Sequence, residues 1–81
     1  MLDYKLVLVK WVSGNESVAG WEYLEDLEPL KPCTCYSVGF LLEDTDLYLT
    51  LAQSFDAEQV TGRLTIPCCC IQERIELLQN S

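Results

Sequence analysis

Residues 4–12, YKLVLVKWV, constrain the fold more than any other segment of the chain. Both sets of alternate positions are largely apolar, with Leu6 and Leu8 on one side of an extended backbone and Val7 and Val9 on the other. A strand that is apolar on both sides is typical of the interior of a sheet, where both faces are covered. The segment therefore predicts a central strand in a β-rich domain.

Three further segments, residues 35–42, 47–54 and 60–66, show strand-like patterns separated by polar connections. The acidic turn at 43–46 joins the first two and predicts a hairpin. Gly39 lies inside a strand, where it indicates a bend or a close approach of another backbone. Pro67 ends the fourth strand. Residues 71–78 fit a helix or a short strand, and we favour a 3₁₀ turn at 67–70 followed by a short strand.

A long polar excursion separates the first two strands. Trp21, Leu24 and Leu27 recur every third residue, which predicts a short helix or 3₁₀ piece near residues 20–28. Pro29 and Pro32 end it. A chain of 81 residues has room for one small domain, so residues 1–81 are expected to form a single unit.

These elements predict a mainly all-β fold, a five-stranded small barrel with one short helical insertion. The pattern Gly62-x-x-x-Ile66-Pro67-x-x-x-Ile71 is similar to the segment before the last strand of SH3 domains, and the order of elements resembles SH3-like and Sm-like barrels. The chain lacks the paired tryptophans of true SH3 domains, so recognition of proline-rich peptides is not implied. The predicted core is Leu6, Leu8, Val38, Phe40, Leu49, Leu51, Leu64, Ile66, Ile71 and Ile75.

A second resemblance spans residues 7–77. It rests on VKW at 9–11, GW at 20–21, SVGFLLED at 37–44 and IPxxxI at 66–71. These segments resemble a group of small uncharacterised proteins from tailed phages and prophages. The resemblance implies a viral or prophage origin and a place in the cytoplasm of a bacterial host cell. It implies no activity and transfers no functional residues.

The charge balance disfavours two classes of partner. Thirteen acidic residues stand against five basic ones, for a net charge of −8. Nucleic-acid binding depends on Lys and Arg to neutralise phosphates, and an anionic membrane surface repels acidic proteins. No apolar run approaches the ~20 residues of a membrane helix, and the N-terminus lacks the pattern of a signal peptide. We therefore expect a cytoplasmic protein that binds neither nucleic acid nor membrane.

The cysteines predict neither a disulfide framework nor a metal site. They are Cys33, Cys35, Cys68, Cys69 and Cys70. Their odd number and the missing secretion signal argue against disulfides. Four thiolates could bind zinc, but C-x-C pairs are less common in zinc sites than pairs spaced by two to four residues. Small buried residues in a reducing cell are the preferred interpretation, and no metal or other cofactor is expected.

Catalysis is disfavoured because the chain has no His and no phosphate-binding loop or nucleophile motif. Elimination leaves an interaction module that binds a protein partner, either a host protein or further copies of itself. The acidic residues cluster at 16–28, 43–46 and 56–58, where they serve as solvated loops or as a face for a basic partner. The candidate contact residues are Trp11, Trp21, Glu25, Asp26, Asp44, Asp46 and Tyr48. The alternative function is an inhibitor that mimics nucleic acid on a host DNA- or RNA-binding enzyme.

Overall fold

The computed structural model describes residues 3–14 and 20–77. Strands make up 56% of it, and its helical content consists of two 3₁₀ turns, Leu24–Asp26 and Cys68–Cys70. The strands are β1 Leu6–Ser13, β2 Cys33–Asp44, β3 Tyr48–Ala52, β4 Ser54–Phe55, β5 Val60–Thr61, β6 Leu64–Pro67 and β7 Ile71–Glu76. The prediction of a mainly β fold is confirmed. None of the helices in the described ranges is long and apolar enough to cross a membrane.

Five strands form one antiparallel sheet in the order β6-β3-β2-β1-β7. The first strand has a neighbour on each side, as its two-sided apolar pattern predicted. The 3₁₀ turn at Cys68–Cys70 and the strand Ile71–Glu76 also confirm the preferred interpretation of the C-terminal segment. Leu78, the last position of the alternative helix, lies outside the described residues.

The closed barrel is a wrong prediction, because β6 and β7 are the two ends of the sheet and do not pair with each other. The sequence of these strands explains why they remain edges. The short β6 ends at Pro67, which has no N–H to donate. The other edge carries Glu73, Arg74 and Glu76, and charged side chains discourage further strand pairing.

The predicted fourth strand is divided into two short ones. Gly62 has a φ of +66°, a conformation that favours glycine, and it breaks the segment after Thr61. The first part, β5, pairs with β4 in a separate two-stranded ribbon, whereas β6 joins the main sheet. One apparent strand in the sequence therefore contributes to two sheets.

The core lies on one face of the sheet and contains Val7, Val9, Leu49, Leu51 and Ile66. Three predicted core residues, Leu49, Leu51 and Ile66, are buried. The predicted side of β1 is wrong: Leu6 and Leu8 are only half-buried, because the opposite set of alternate positions faces the core. Their cross-strand neighbours on β2, Phe40 and Val38, also point away from the core. The predicted core residues that are exposed instead are Val38, Leu64 and Ile75, while Phe40 and Ile71 are half-buried.

Gly39 lies where β2 and β3 approach most closely. A Cβ atom at this position would stand 2.9 Å from the Cβ of Leu51 and 3.0 Å from the carbonyl oxygen of Ala52. A register shift follows between Leu41 and Glu43, where β2 has an extra residue relative to β3. The close approach that the sequence indicated at this glycine is confirmed.

Residues 20–32, which lie between β1 and β2, stand away from the sheet. All of residues 20–32 are exposed, and the predicted helical insertion is only the three-residue turn Leu24–Asp26. The radius of gyration is 16.7 Å. A compact chain of this length would have about 12 Å. The difference agrees with a segment that projects from the domain, and we call residues 20–32 the arm.

Candidate functional site

The arm presents large apolar side chains directly to solvent. Trp21 is fully exposed, with a relative accessibility of 104%, and Leu24 follows at 87%. The remaining members are Tyr23, Leu27 and Leu30, each more than half exposed. Soluble monomers rarely expose contiguous apolar groups of this size, and such patches mark interaction sites.

A single turn shapes the middle of the arm. The Asp26 N–H donates to the Tyr23 carbonyl at 3.0 Å, and the Leu27 N–H donates to the Leu24 carbonyl at 3.4 Å. Pro29 prevents the helix from continuing, because proline has no N–H to bond back. The turn therefore holds a short run of side chains in one local shape without burying any of them.

Carboxylates alternate with the apolar residues of the arm. They are Glu22, Glu25, Asp26 and Glu28, and Lys31 is the cation in this range. All of them are exposed. The arm thus combines apolar anchors with a strongly negative field, the combination that suits an apolar site edged by positive charge.

Trp11 belongs to the core and not to the arm. Its indole is half-buried against the core cluster, and its Nε1–H donates to the Ser37 hydroxyl at 3.0 Å. The sequence placed Trp11 and Trp21 together as candidate contact residues. The structure separates them, since only Trp11 packs against the domain and Trp21 covers nothing in the described structure.

The other candidates lie at the turn between β2 and β3. The Thr45 hydroxyl accepts the N–H groups of Leu47 and Tyr48 at 3.2 and 3.1 Å, which closes the turn. Tyr48 donates its hydroxyl to Glu43 Oε2 at 3.2 Å, and this carboxylate raises the pKa of Tyr48 because it stabilises the protonated phenol. Asp46 is exposed beside them.

Asp44, at the same turn, forms a two-point ion pair across the sheet. Arg74 donates to its two carboxylate oxygens at 2.9 and 2.8 Å. The hydrogen bonds from the guanidinium lower the pKa of Asp44 and raise that of Arg74. Asp44 is therefore largely neutralised within the chain, and its charge contributes less to an acidic surface than the sequence suggested.

Apart from Trp11, which packs on the core, the candidate residues form two groups and not one surface. The arm leaves the sheet at the start of β2, whereas Asp44, Asp46 and Tyr48 lie at or beyond its last residue. The third acidic segment is a separate hairpin, where Asp56 Oδ1 accepts the N–H groups of Glu58 and Gln59 at 2.9 and 2.7 Å. These two bonds lower the pKa of Asp56.

The interpretation of the cysteines as small buried residues is wrong, because all five are half-buried or exposed. They are also not gathered into a tetrahedral site. Cys35 and Ile71 pair with Trp11 from opposite sides, so β1 lies between the two cysteine groups. Two strand spacings amount to about 10 Å, whereas sulfurs bound to one zinc lie within about 4 Å of each other. The Sγ atoms of Cys69 and Cys70 are 3.9 Å apart, and this contact raises the pKa of Cys70. The described residues contain no group of three or more metal-ligating side chains, and independence from metal stays a prediction.

Sequence reasoning missed a second exposed apolar surface. It is formed by the side chains of β2, β1 and β7 that point away from the core, and we call it the outer face. Its members are Leu6, Leu8, Lys10, Val12, Tyr36, Val38, Phe40, Glu73 and Ile75. The signal was present in the two-sided apolar pattern of residues 4–12, which was interpreted only as evidence for a central strand.

The arm and the outer face are the two places where apolar side chains of the described chain meet solvent in groups. Comparisons of the chain with protein-family models, with curated proteins and with solved structures find no match.

Proposed function

We propose that this chain is a small acidic interaction module that docks onto a protein partner through the arm. The observation that carries the proposal is the full exposure of Trp21 within a segment whose other large apolar side chains are also exposed. Tryptophan is among the residues that contribute most to binding energy when a partner covers it. No catalytic role is assigned to the chain.

The binding free energy expected from covering the arm is large relative to the free energy of unfolding of a small domain. A tryptophan side chain buries about 150–250 Å² in an interface. At about 25 cal/mol per Å², this corresponds to roughly 4–6 kcal/mol before the costs of association are subtracted. An 81-residue domain has a total stability of only about 4–12 kcal/mol. The exposed side chains of the arm are thus better explained by binding than by folding.

The chemistry of the arm also indicates what kind of binding surface its partner presents. Its four carboxylates, among them Glu25 and Asp26, surround the apolar residues. They complement an apolar groove with Lys or Arg at its edge, and such complementarity speeds encounter at low salt. The resemblance to phage and prophage proteins points to a partner in a bacterial cytoplasm. The strand order β6-β3-β2-β1-β7 supports an open relative of the SH3-like and Sm-like barrels as the scaffold.

A nucleic-acid mimic is the alternative function, and the arrangement of charges supports it less well. Mimicry needs carboxylates spaced regularly along one surface, like phosphates. Asp44 is paired with Arg74, and Glu76 lies 3.8 Å from the Lys5 ammonium. The acidic segments also lie at different ends of β2.

Capture from a bacterial lysate followed by direct binding tests the proposal. Tagged wild-type protein, a Trp21→Ala variant and a Leu47→Ala control are compared at low and high salt. Leu47 is a suitable control because it is 78% exposed but lies at the β2–β3 turn, away from the arm. A captured protein is then purified, and its Kd is measured for all three forms.

We expect Trp21→Ala to weaken binding by at least about 2 kcal/mol, roughly 30-fold in Kd, while Leu47→Ala stays close to wild type. Binding should also weaken as salt rises. Equal affinity of the two variants would contradict docking through the arm. Displacement of the partner by DNA or heparin, with no effect of Trp21→Ala, would favour the mimic instead.

A further inference from the structure

The outer face contains a row of apolar side chains that nothing in the described structure covers. Val38, Leu8 and Ile75 stand directly across from one another on β2, β1 and β7. Val38 is 58% exposed and Ile75 43%. Next to them, Tyr36 is 66% exposed in the row that it shares with Lys10.

One end of the outer face is closed by the domain's own aromatic residues. Phe55 packs edge-on against both Phe40 and Tyr4, with ring centroids 4.9 Å apart in each pair. This cover stops at Phe40, since Val38 and Tyr36 farther along the same strand are exposed. An antiparallel sheet that faces water on one side normally carries polar residues there. The outer face departs from this rule, which indicates that another molecule covers it.

We propose that the outer face is the contact between two copies of this chain, packed sheet against sheet. A two-fold contact requires a patch that is complementary to itself. The outer face meets this requirement, because Lys10 and Glu73 stand opposite each other on β1 and β7 beside the apolar row. Two copies related by a two-fold axis can bring Lys10 of each toward Glu73 of the other.

The distribution of charge over the chain favours the outer face as the surface where two copies meet. The whole chain carries a net charge of −8, so two copies repel each other in most orientations. The outer face is balanced, with Lys10 as its cation and Glu73 as its anion. Two acidic copies therefore approach with least repulsion through this face. Added salt should strengthen the contact by screening the remaining repulsion, the opposite of its effect on an acidic arm.

The size of the outer face sets the expected affinity. The outer face spans three strands about 4.8 Å apart, and each strand contributes about seven residues with a rise of about 3.3 Å per residue. These dimensions give roughly 300 Å² of flat sheet. Projecting side chains increase this area, but the total stays at the small end of specific interfaces, below about 1,200 Å² for both partners. A contact of this size gives weak association, with a Kd of about 10–100 μM.

Sedimentation equilibrium of the purified full chain tests the contact. Wild type should associate into dimers within about 10 μM to 1 mM, and more strongly at about 0.5 M salt than at about 0.1 M. Val38→Glu should weaken association at least tenfold, since it places an acid in the apolar row. Circular dichroism checks that this variant folds, and Trp21→Ala should dimerise like wild type because the arm takes no part.

Charge reversal provides a second test that does not depend on Val38. Lys10→Glu and Glu73→Lys should each dimerise less well alone, because each places like charges on both facing surfaces. An equimolar mixture of the two should recover at least wild-type association. The controls are Arg63→Glu and Glu58→Lys, which change the net charge by the same amounts at exposed sites outside the outer face.

Three results would overturn the inference: a wild-type chain that stays monomeric to about 1 mM, Val38→Glu dimerising like wild type, or no recovery in the mixture. Loss of dimers in Trp21→Ala but not in Val38→Glu would move the contact to the arm and also refute it. The inference does not rest on the proposed function. If only Trp21→Ala loses partner binding and only Val38→Glu loses self-association, the result would support both the docking function of the arm and the self-contact of the outer face.

Discussion

Gly39 is a position where a very small change in sequence should cost substantial stability. Replacing it with Ala adds one methyl group, which would stand 2.9 Å from the Leu51 Cβ and 3.0 Å from the Ala52 carbonyl oxygen. Neither neighbour can yield easily, since Leu51 belongs to the buried core and the Ala52 oxygen is part of the β3 backbone. The backbone of Gly39 itself has no positive φ, so the cost is a steric one.

The expected loss follows from two opposing effects. Overpacking a filled site by one methyl group costs about 1–3 kcal/mol. Replacing a glycine also lowers the conformational entropy of the unfolded chain, and this effect stabilises the fold by about 0.4–1 kcal/mol. The net destabilisation of Gly39→Ala is therefore about 1–2 kcal/mol. For a domain of this size, such a loss lowers Tm by roughly 4–16 °C.

Urea and thermal unfolding of Gly39→Ala measure this loss, with Gly14→Ala as the matched control. A Cβ at Gly14 would meet no atom within 4 Å in the described structure, so the same change should leave stability unchanged or slightly higher. Both variants are compared at one protein concentration, because self-association would otherwise affect the midpoint. Equal urea midpoints for the two variants would refute the close approach of β2 and β3.

Three further outcomes are expected. Arg74→Ala should cost only about 0.5 kcal/mol because the pair is exposed. Since the pKa of Asp44 is lowered in the fold, this difference should be present above the ordinary Asp value of 3.8 and vanish as pH falls through the lowered pKa, as measured by urea unfolding across pH. Glu43→Gln should lower the pKa of Tyr48 toward its ordinary 10.0 in an alkaline absorbance titration, with Tyr48→Phe identifying the affected tyrosine. Chelation should leave Tm unchanged, and unfolding with release of zinc would contradict metal independence.

The strands could be predicted because their signals are local. Runs of β-branched and aromatic residues, the acidic turn at 43–46 and the break at Pro67 each act within a few residues. Gly39 could be identified for the same reason, because a glycine inside a strand usually marks a bulge, a bend or a close backbone approach. The β2–β3 hairpin could be predicted because a short turn joins the two strands. The equally short connection from β6 to β7 gave no sign that these strands lie at opposite edges of the sheet.

The buried side of β1 could not be predicted, because the choice depends on distant residues. Leu6 and Leu8 are as apolar as Val7 and Val9, so the strand itself contains no preference. The choice is made by Leu51 and its neighbours on β3, which form a continuous core only with the valines. A pattern of period two fixes which residues share a face but not which face is covered.

The sequence did not reveal how the candidate contact residues are arranged in the fold. Trp11 and Trp21 look equivalent in the sequence, yet one packs on the core and the other is fully exposed. The difference depends on whether the chain after β1 returns to the sheet, which no local pattern encodes. The pairing of Asp44 with Arg74, 30 residues away, was likewise beyond sequence reasoning.

The exposed outer face has a physical consequence for stability. A small domain gains stability by burying apolar surface, and this one leaves the arm and much of the outer face exposed among the described residues. Any molecule that covers the outer face, whose side chains come from three paired strands, binds the folded chain and not the unfolded one, so it adds to stability. At a free concentration of about 100 times Kd, the addition is about 2.7 kcal/mol, a substantial fraction of what a domain of this size possesses. Stability and interaction are therefore coupled in this chain, and its unfolding midpoint should rise with its own concentration if the outer face pairs.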